Sequence, residues 1–228
     1  MVSNYILLTE KSWHKNLFSD LKKTFCNDSW LLIDSKSDFN LKNIKKFNPT
    51  KIFIPHWSHI IPREIFESFE CIVFHMTDLP FGRGGSPLQN LISRNYKTTK
   101  ITAIKVEQGL DTGDVYLKKT LGLEGTATEI FERSSSVIEE MIGEIINENI
   151  QPLPQFGEIT EFKRRKPEDS NICELSDLEK VYDYIRMLDC EGYPHAFIET
   201  DHLKFEFINS KFDENKEIIT ANVRISKK

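Results

Sequence analysis

The sequence predicts an α/β fold built on a mostly parallel sheet, followed by a small α+β subdomain. Short apolar runs alternate with amphipathic segments through the first half of the 228-residue chain, as in strand–helix–strand crossovers. The runs are apolar throughout rather than at every second position, which is expected of parallel strands buried on both faces. The composition then changes near residue 150, where the subdomain is predicted to begin.

The apolar runs mark the strands in order. Strands are predicted at YILLT (5–9), WLLID (30–34), KIFIP (51–55), CIVFH (71–75), ITAIKV (101–106) and DVYLKKTL (114–121). Helical spacing of apolar residues lies between and after them, at 13–25, 62–69, 86–94 and 126–146. Right-handed crossovers between parallel strands then place helices on both faces of the sheet, in a Rossmann-like arrangement.

Two of these helices carry local start signals. Pro62 lies in the first turn of the 62–69 helix, where a missing backbone N–H costs nothing. Thr126 followed by Glu129 predicts a capping box at the start of the long 126–146 helix, because each side chain can accept a backbone N–H of the other residue.

The chain after residue 150 reads as a separate piece. NIQPLPQFGE (149–158) has the prolines and glycine of a linker, and a basic clump within EFKRRKPEDSN (161–171) follows it. Ser176 with Glu179 predicts the start of one more helix, and the tail from HAFIET to NVRISKK predicts three strands. We therefore expect a catalytic domain at 1–150 and a linker with a small subdomain at 151–228.

The charge and the cysteine content of the chain limit the functions that it can have. The net charge of −5 argues against a general nucleic-acid binder, although a local basic cluster can still bind a small acidic ligand. The four cysteines form no close pair, which predicts a reduced, cytoplasmic protein without a zinc motif. Neither a signal peptide nor an apolar stretch long enough to span a membrane is visible.

The stretch FHMTDLPFGRGGSPLQN (74–90) places His75 at the carboxyl end of a predicted central strand. Ligands of open parallel sheets bind outside these strand ends, and the glycines that follow allow backbone to approach a ligand closely. A histidine that only caps a strand end, next to a tight turn, is the alternative interpretation.

The segment EQGLDTGD (107–114) places Asp111 in a loop between two later strands. Turn formation alone would explain its glycine and aspartates. An aspartate that meets His75 at the same sheet edge would instead orient the imidazole and stabilise its charged form. Because no serine or cysteine nucleophile accompanies the pair, it suggests proton transfer in a reaction whose nucleophile belongs to the substrate.

These two segments, HMTDLPFGRGGSPLQNLI and GLDTGDVYLK, together resemble the N10-formyltetrahydrofolate-dependent formyltransferases. The family's first signature is Asn-x-His followed by Leu-Pro, Arg-Gly and a proline-led helix, and its second is a Leu-Asp-x-Gly turn. Both occur here in order, and the resemblance covers about residues 1–150. It implies formyl transfer to an amine, with N10-formyltetrahydrofolate as co-substrate and without a metal.

The resemblance implies a catalytic Asn–His–Asp trio, of which His75 and Asp111 are present. The asparagine is missing, because Val73 stands two residues before the histidine. Its amide would stabilise the formyl oxygen as that atom becomes negative. Asn90, a backbone N–H of the 82–86 loop, or a doubly protonated His75 could replace it; a weak or inactive relative is the further alternative.

Other site residues are implied by the same resemblance. The folate contacts expected from it are His56, Trp57, Arg83, Gly84, Gly109 and Leu110. Packing in the core is the alternative for Trp57. His56 and His59 have the spacing of a metal pair, but they lie in a loop without an obvious third ligand, so we expect no metal site.

The acidic chain and its short C-terminal piece favour the nucleotide-sugar N-formyltransferase branch over the tRNA branch. FKRRKPEDSNI resembles the linker of the sugar enzymes, and its bases would neutralise a diphosphate, unless they are only a solvated charge run. We therefore expect a nucleotide-linked amino-deoxysugar as acceptor, no nucleic-acid or membrane partner, and a homodimer. The expected substrate contacts are Asn90, Arg164, Arg165, Lys166 and Tyr193, with burial in the core as the alternative for Tyr193.

Two alternatives to this function stay open. One is formylation of another amine, such as an aminoacyl group or a ribonucleotide. The other is a binding module that holds folate or nucleotide without turnover. This alternative stays open because Val73 stands where the family has its catalytic asparagine.

Overall fold

The structure is a computed structural model that describes residues 2–228. Its strands are β1 (Asn4–Leu8), β2 (Ser29–Ile33), β3 (Lys51–Pro55), β4 (Cys71–His75), β5 (Arg83–Gly84), β6 (Thr98–Lys105), β7 (Val115–Gly122), β8 (Glu161–Phe162), β9 (Ala196–Glu199), β10 (Leu203–Asp213) and β11 (Ile218–Lys227). Its helices are α1 (Leu17–Thr24), α2 (Leu41–Phe47), α3 (Arg63–Phe66), α4 (Pro87–Ile92), α5 (Ala127–Asn147) and α6 (Leu178–Arg186), and two short 3-10 helices cover Ser12–His14 and Pro167–Ser170.

The central sheet has six strands in the order β2-β1-β3-β4-β6-β7. β1 pairs in parallel with β2 and β3, and β3 pairs in parallel with β4, whereas β4 and β6 are antiparallel. All five residues of β3 are buried, which is why its sequence shows no alternation. The predicted α/β fold with a mostly parallel sheet is confirmed, and its parallel strands end at one edge.

The helices around this sheet differ from their predictions at the ends. The helix predicted over 13–25 begins only at Leu17, because Ser12–His14 forms a 3-10 helix in which His14 is buried. The 62–69 helix shortens to α3, with Pro62 as its N-cap rather than its first helical residue. α2 has no predicted counterpart, since Ile44 is its single buried residue and gives no apolar periodicity.

The capping box of α5 is confirmed. The backbone N–H of Thr126 donates to Glu129 Oε2 at 2.7 Å, and the backbone N–H of Glu129 donates to Thr126 Oγ1 at 3.3 Å. These reciprocal bonds satisfy two donors that the helix itself leaves unpaired.

The C-terminal region forms a three-stranded antiparallel sheet in the order β11-β10-β9, as predicted for the tail. The helix before it starts one residue later than predicted. Asp177, not Ser176, is the N-cap of α6, and its Oδ1 accepts the Lys180 N–H at 3.2 Å. An aspartate caps a helix as well as a serine does, so neighbouring candidates cannot be ranked from the sequence.

The chain divides into two compact units. One contains the residues up to Gly84, Lys100–Leu121 and Glu132–Glu161; the other contains Gly85–Thr99, Gly122–Phe131 and Phe162–Lys228. The functional division into 1–150 and 151–228 stays a prediction. Among the helices of residues 2–228, none combines the length and apolar character that crossing a membrane requires.

Candidate active site

His75 is the last residue of β4, at the edge where the parallel strands end. Its side chain is 9% exposed. Its Nε2 lies 2.8 Å from the carbonyl oxygen of Gly82. Because a carbonyl oxygen can only accept, Nε2 carries the proton of this bond and Nδ1 is left to face a different partner.

That partner is Asp111, whose Oδ2 lies 3.5 Å from Nδ1 of His75. The predicted meeting of these two side chains is therefore found. The same Oδ2 accepts the backbone N–H of Gly84 at 2.9 Å, which fixes the carboxylate in front of the ring. A proton taken up on Nδ1 would lie between imidazole and carboxylate, an arrangement suited to general acid–base chemistry.

Backbone geometry brings the Asp111 loop to this place. Asp111 has a left-handed backbone with φ 53°, a conformation that aspartate tolerates better than most residues. Gly113 follows, and a side chain there would overlap the carbonyl oxygen of Lys105. Gln155 donates from Nε2 to the carbonyl oxygens of Asp111 and Gly113, both at 2.8 Å. This contact has no counterpart in the sequence-based prediction, which assigns Gln155 to a linker.

Val73 supplies no polar atom to the site. It is half-buried in β4 and packs against an apolar cluster that includes Ile54 and Cys71. Two proposed substitutes for the missing amide are already engaged. Asn90 donates from Nδ2 to the carbonyl oxygens of Gly85, Ser86 and Lys163, each at 3.0 Å.

The backbone N–H groups of the loop after His75 are engaged as well. Those of Gly82 and Arg83 both donate to the Thr160 carbonyl oxygen at 2.9 Å, and that of Gly85 donates to the Phe162 carbonyl oxygen at 3.1 Å. With the Gly84 N–H on Asp111, four consecutive donors are used. In a doubly protonated His75, the third substitute, the Nε2–H would lie on the Gly82 carbonyl oxygen and the Nδ1–H would face Asp111, so a formyl oxygen would have to share one of these donors.

His56 belongs to a buried polar cluster rather than to an open pocket wall. Its Nδ1 accepts from Trp13 Nε1 at 3.1 Å and lies 2.7 Å from His14 Nε2, while its Nε2 lies 2.9 Å from Met76 Sδ. His14 Nδ1 in turn lies 2.9 Å from Ser135 Oγ. Both ring nitrogens of His56 are therefore occupied, so a folate contact would have to use its ring face.

Burial keeps these two histidines neutral. Loss of solvent, with the neighbouring His56 as a smaller cause, lowers the pKa of His14 to about 2. Loss of solvent, followed by the charges of Lys11 and His75, lowers the pKa of His56 to about 3. His59 lies 3.7 Å from Glu10 instead of joining His56. Residues 2–228 contain no group of three His, Cys, Asp or Glu side chains placed to hold a metal.

The other predicted folate contacts differ in their availability. Trp57 Nε1 is buried and has no hydrogen-bond partner among residues 2–228, so a ligand could accept from it. Arg83 donates from Nε and Nη2 to Gln155 Oε1 at 3.2 and 2.7 Å. Gly109 has φ 114°, which favours glycine, and Leu110 beside it is 70% exposed. These folate roles stay predictions.

Three of the predicted substrate residues line one cavity. It has a volume of about 380 Å³, and its walls are Asn90, Lys163, Arg164, Arg165, Asp169, Asn171, Leu175 and Tyr184. Arg165 lies over the Tyr184 ring, 5.0 Å from the centroid, and its Nε is buried with no hydrogen-bond partner in the described part of the chain. Lys163 and Arg164 are exposed. Such a cluster of cations is suited to an anion such as a phosphate.

The remaining two predicted substrate residues lie elsewhere. Lys166 is exposed, and its backbone N–H donates to Asp169 Oδ2 at 2.8 Å. Tyr193 stacks on Phe131 with ring centroids 5.5 Å apart, and burial, as the largest cause, raises its pKa to about 12. The core interpretation of Tyr193 fits this packing. Lys163, which the prediction omits, lines the cavity next to Arg164.

Comparison with known proteins places this geometry in a family. Residues 167–226 match the family model described as the C-terminal domain of methionyl-tRNA formyltransferase. A solved methionyl-tRNA formyltransferase from Clostridium thermocellum is 50% identical, with a TM-score of 0.96 over 100% of both chains. The methionyl-tRNA formyltransferase of Thermodesulfovibrio yellowstonii is 30% identical over 177 residues, which cover 74% of this chain and 58% of that protein.

These relatives overturn the expected acceptor. The prediction of a nucleotide-linked amino sugar is wrong, because the relatives that match at 30% and 50% identity are methionyl-tRNA formyltransferases. A sugar N-formyltransferase from Shewanella sp. FDAARGOS_354 shares the fold at 13% identity, with a TM-score of 0.68 over 96% of both chains. The prediction of no nucleic-acid partner is also wrong, since the 50% identical relative is named for methionyl-tRNA. Both predictions used the net charge of −5 and the short C-terminal piece as arguments against tRNA, although Lys163, Arg164 and Arg165 line one cavity.

The chain spans a little over half the length of the curated relatives that it matches. It matches the solved Clostridium thermocellum protein from end to end at 50% identity. Both signature segments recognised in the sequence lie in the matched region, and their histidine and aspartate meet in the structure. The chain belongs to the formyltransferase family that includes methionyl-tRNA formyltransferase.

Proposed function

We propose that this protein transfers the formyl group of N10-formyltetrahydrofolate to the amino group of methionyl-tRNA. The observation that carries the proposal is the His75–Asp111 pair, 3.5 Å apart at the carboxyl edge of the sheet, in a chain 50% identical to a methionyl-tRNA formyltransferase. A histidine–carboxylate pair at such an edge can accept the proton of an attacking amine.

The proposed step forms a bond between the amine nitrogen and the formyl carbon and breaks the bond between that carbon and N10 of the folate. The amine loses one proton and N10 gains one. His75 moves this proton through Nδ1, where Asp111 stabilises the charged ring. The Gly82 carbonyl oxygen holds the proton on Nε2, so that Nδ1 is the nitrogen that changes its protonation.

Negative charge that develops on the formyl oxygen needs a donor. Because Val73 replaces the family asparagine and the nearby backbone N–H groups are engaged, the proposal assigns this role to the Nδ1–H of the protonated His75 ring, which the formyl oxygen would share with Asp111 Oδ2 at 3.5 Å. Such a single charged donor stabilises the transition state less than a ring together with an amide, which predicts slow turnover rather than none.

The proposal places the pterin ring of the folate, which donates the formyl group, beside Trp57 and Leu110. The folate supplies the activated formyl group. Trp57 offers a buried N–H without a partner, and exposed Leu110 offers apolar surface beside Asp111. Both features support the folate contacts that the family resemblance implies at these positions.

The basic cavity supports a nucleic-acid acceptor. Lys163, Arg164 and Arg165 surround a volume of about 380 Å³, enough for a phosphate and part of a nucleoside. Tyr184, over which Arg165 lies, adds an aromatic wall. Phosphate contacts of this type position a nucleic acid without reading its sequence.

A panel of acceptors tests the proposal. The purified protein is incubated with N10-formyltetrahydrofolate and methionyl-tRNA, glycinamide ribonucleotide or a set of nucleotide-linked amino sugars, and each product is analysed by mass spectrometry for a gain of one formyl group. We expect formylation of methionyl-tRNA alone. Formylation of another acceptor at a higher kcat/KM would refute the proposal, and folate binding without any product would favour the inactive binding module.

A further inference from the structure

Gln155 connects the two signature segments of the site. It lies in the stretch 149–158, whose prolines and glycine indicate a linker. In the structure its side chain is half-buried and reaches both the loop that follows His75 and the loop that carries Asp111.

Both the oxygen and the nitrogen of the Gln155 side-chain amide form hydrogen bonds. Its Oε1 accepts from Nε and Nη2 of Arg83, at 3.2 and 2.7 Å. Its Nε2 donates to the carbonyl oxygens of Asp111 and Gly113, both at 2.8 Å. The orientation of the amide is fixed by chemistry, because a guanidinium can only donate and a carbonyl oxygen can only accept.

The loop that Gln155 binds contains a non-glycine residue in the left-handed conformation. Asp111 has φ 53°, which costs energy for a residue with a side chain. Gly113, two residues later, packs so tightly on the Lys105 carbonyl that a Cβ would not fit. Two hydrogen bonds to the carbonyl oxygens of this turn therefore stabilise the conformation that directs the Asp111 carboxylate at His75 and at the Gly84 N–H.

We propose that Gln155 is a positioning residue that sets the Asp111 carboxylate against His75 by joining the Asp111 turn to Arg83. Its catalytic effect rests on the proposed formyl transfer; its structural effect on the His75–Asp111 pair does not. A misplacement of about 1 Å at a reacting group is enough to cost about 100-fold in rate.

Three variants separate the contacts. Gln155→Ala removes all of them. Gln155→Glu keeps the acceptor for Arg83 but loses both donors to the Asp111 turn. Gln151→Ala is the matched control, because Gln151 is an exposed glutamine of the same stretch whose Nε2 donates to the nearby Asn149 carbonyl oxygen.

Turnover of methionyl-tRNA is the first readout. We expect Gln155→Ala and Gln155→Glu to lower kcat by about 10- to 100-fold, with KM for both substrates little changed, because positioning acts on the chemical step. Gln151→Ala keeps wild-type kcat. A kcat of Gln155→Ala within about twofold of wild type, or wild-type kcat in Gln155→Glu, would overturn the inference, the latter because the Arg83 contact would then suffice.

The ring-nitrogen NMR shifts of His75, assigned by their loss in His75→Asn, are the second readout and need no substrate. They should move in both Gln155 variants and stay in place in Gln151→Ala. If wild type fails to formylate methionyl-tRNA while these shifts respond, the proposed function fails and the positioning role stands. Shifts that stay at their wild-type values in both Gln155 variants would overturn the positioning role itself.

Discussion

At the scale of single residues, three histidines differ in the partners of their ring nitrogens. His75 has one nitrogen on a carbonyl oxygen and the other on a carboxylate, so it can gain a proton that Asp111 stabilises. His14 and His56 are stacked with ring centroids 5.0 Å apart and bind Trp13, Met76 and Ser135 as neutral rings. One histidine is suited to proton transfer and the other two to a fixed structure.

The neutral pair predicts acid sensitivity. The pKa values of His14 and His56 lie at about 2 and 3 in the folded protein, lowered by burial, whereas the unfolded chain takes up these protons near pH 6.5. Their stabilisation is therefore complete above pH 6.5 and is lost progressively as the pH falls toward 3. The upper limit is about 1.4 kcal/mol per pH unit for each histidine.

Urea unfolding at pH 7 and pH 5 measures this loss. We expect a lower free energy of unfolding at pH 5, and a smaller pH dependence in His14→Gln. Replacing the exposed His202 by glutamine is the control and should leave the wild-type pH dependence. Equal free energies of wild type at the two pH values would contradict the neutral assignment.

Sequence reasoning identifies the candidate catalytic residues but not the residues that hold them in place. His75 and Asp111 stand out because His75 ends a recognisable strand, Asp111 lies in a loop between two strands, and each belongs to a motif with fixed spacing. Gln155 gives no such signal, since a glutamine among prolines looks like any linker residue. The contacts of His14 join it to residues more than 40 positions away along the chain, which no local pattern can indicate.

At the scale of elements, the buried strands are the predictable part. β3 and β4 match their predicted bounds because both are short, largely apolar runs that are mostly buried in the sheet. Helix ends are less predictable, as α1 and α6 show, because several neighbouring residues can form a turn or a cap. The apolar periodicity of the sequence does not predict α2, because Ile44 is the single residue that this helix buries in the core.

The N-cap of α6 provides a test at this scale. Asp177→Ala should lower the free energy of unfolding by about 1 kcal/mol, because the Lys180 N–H loses its acceptor. Ser176→Ala is the matched control and should change it by no more than about 0.5 kcal/mol, as expected of an exposed position without a cap bond. Urea unfolding of both variants decides between the two caps. A larger loss of unfolding free energy in Ser176→Ala than in Asp177→Ala would show that Ser176, the predicted residue, is the N-cap.

At the scale of the whole molecule, the distribution of charged residues bears more on nucleic-acid binding than the net charge does. The chain carries 35 acidic and 30 basic residues, yet three consecutive cations, Lys163, Arg164 and Arg165, line one cavity. Long-range repulsion of a nucleic acid by the net charge is screened within about 8 Å at physiological salt, whereas direct phosphate contacts persist. The net charge is therefore a poor guide to whether this chain can bind a nucleic acid.

The basic cavity predicts a selective effect on the acceptor. Changing the exposed Lys163 and Arg164 together to alanine should raise KM for methionyl-tRNA about tenfold or more and weaken its dependence on salt, because about two phosphate contacts are lost. KM for N10-formyltetrahydrofolate should stay within about twofold. Steady-state kinetics at two salt concentrations provide the measurement.

The control for this variant removes the same charge elsewhere. Changing the exposed Lys15 and Lys22 together to alanine should leave KM for both substrates unchanged. An equal rise in both KM values for Lys163→Ala/Arg164→Ala, or the same rise for methionyl-tRNA in the control, would show that the cavity is not the acceptor site.

The central claim is that the His75–Asp111 pair moves a proton during formyl transfer to methionyl-tRNA. Its most direct test is the single-turnover rate of formyl-methionyl-tRNA formation by wild type, His75→Asn and Asp111→Asn, with folate binding measured in parallel. We predict product from wild type and rates about 10²- to 10⁴-fold lower in both variants, with folate affinity and folding retained. Wild-type rates in His75→Asn, or no product from a wild-type protein that binds both substrates, would contradict the claim.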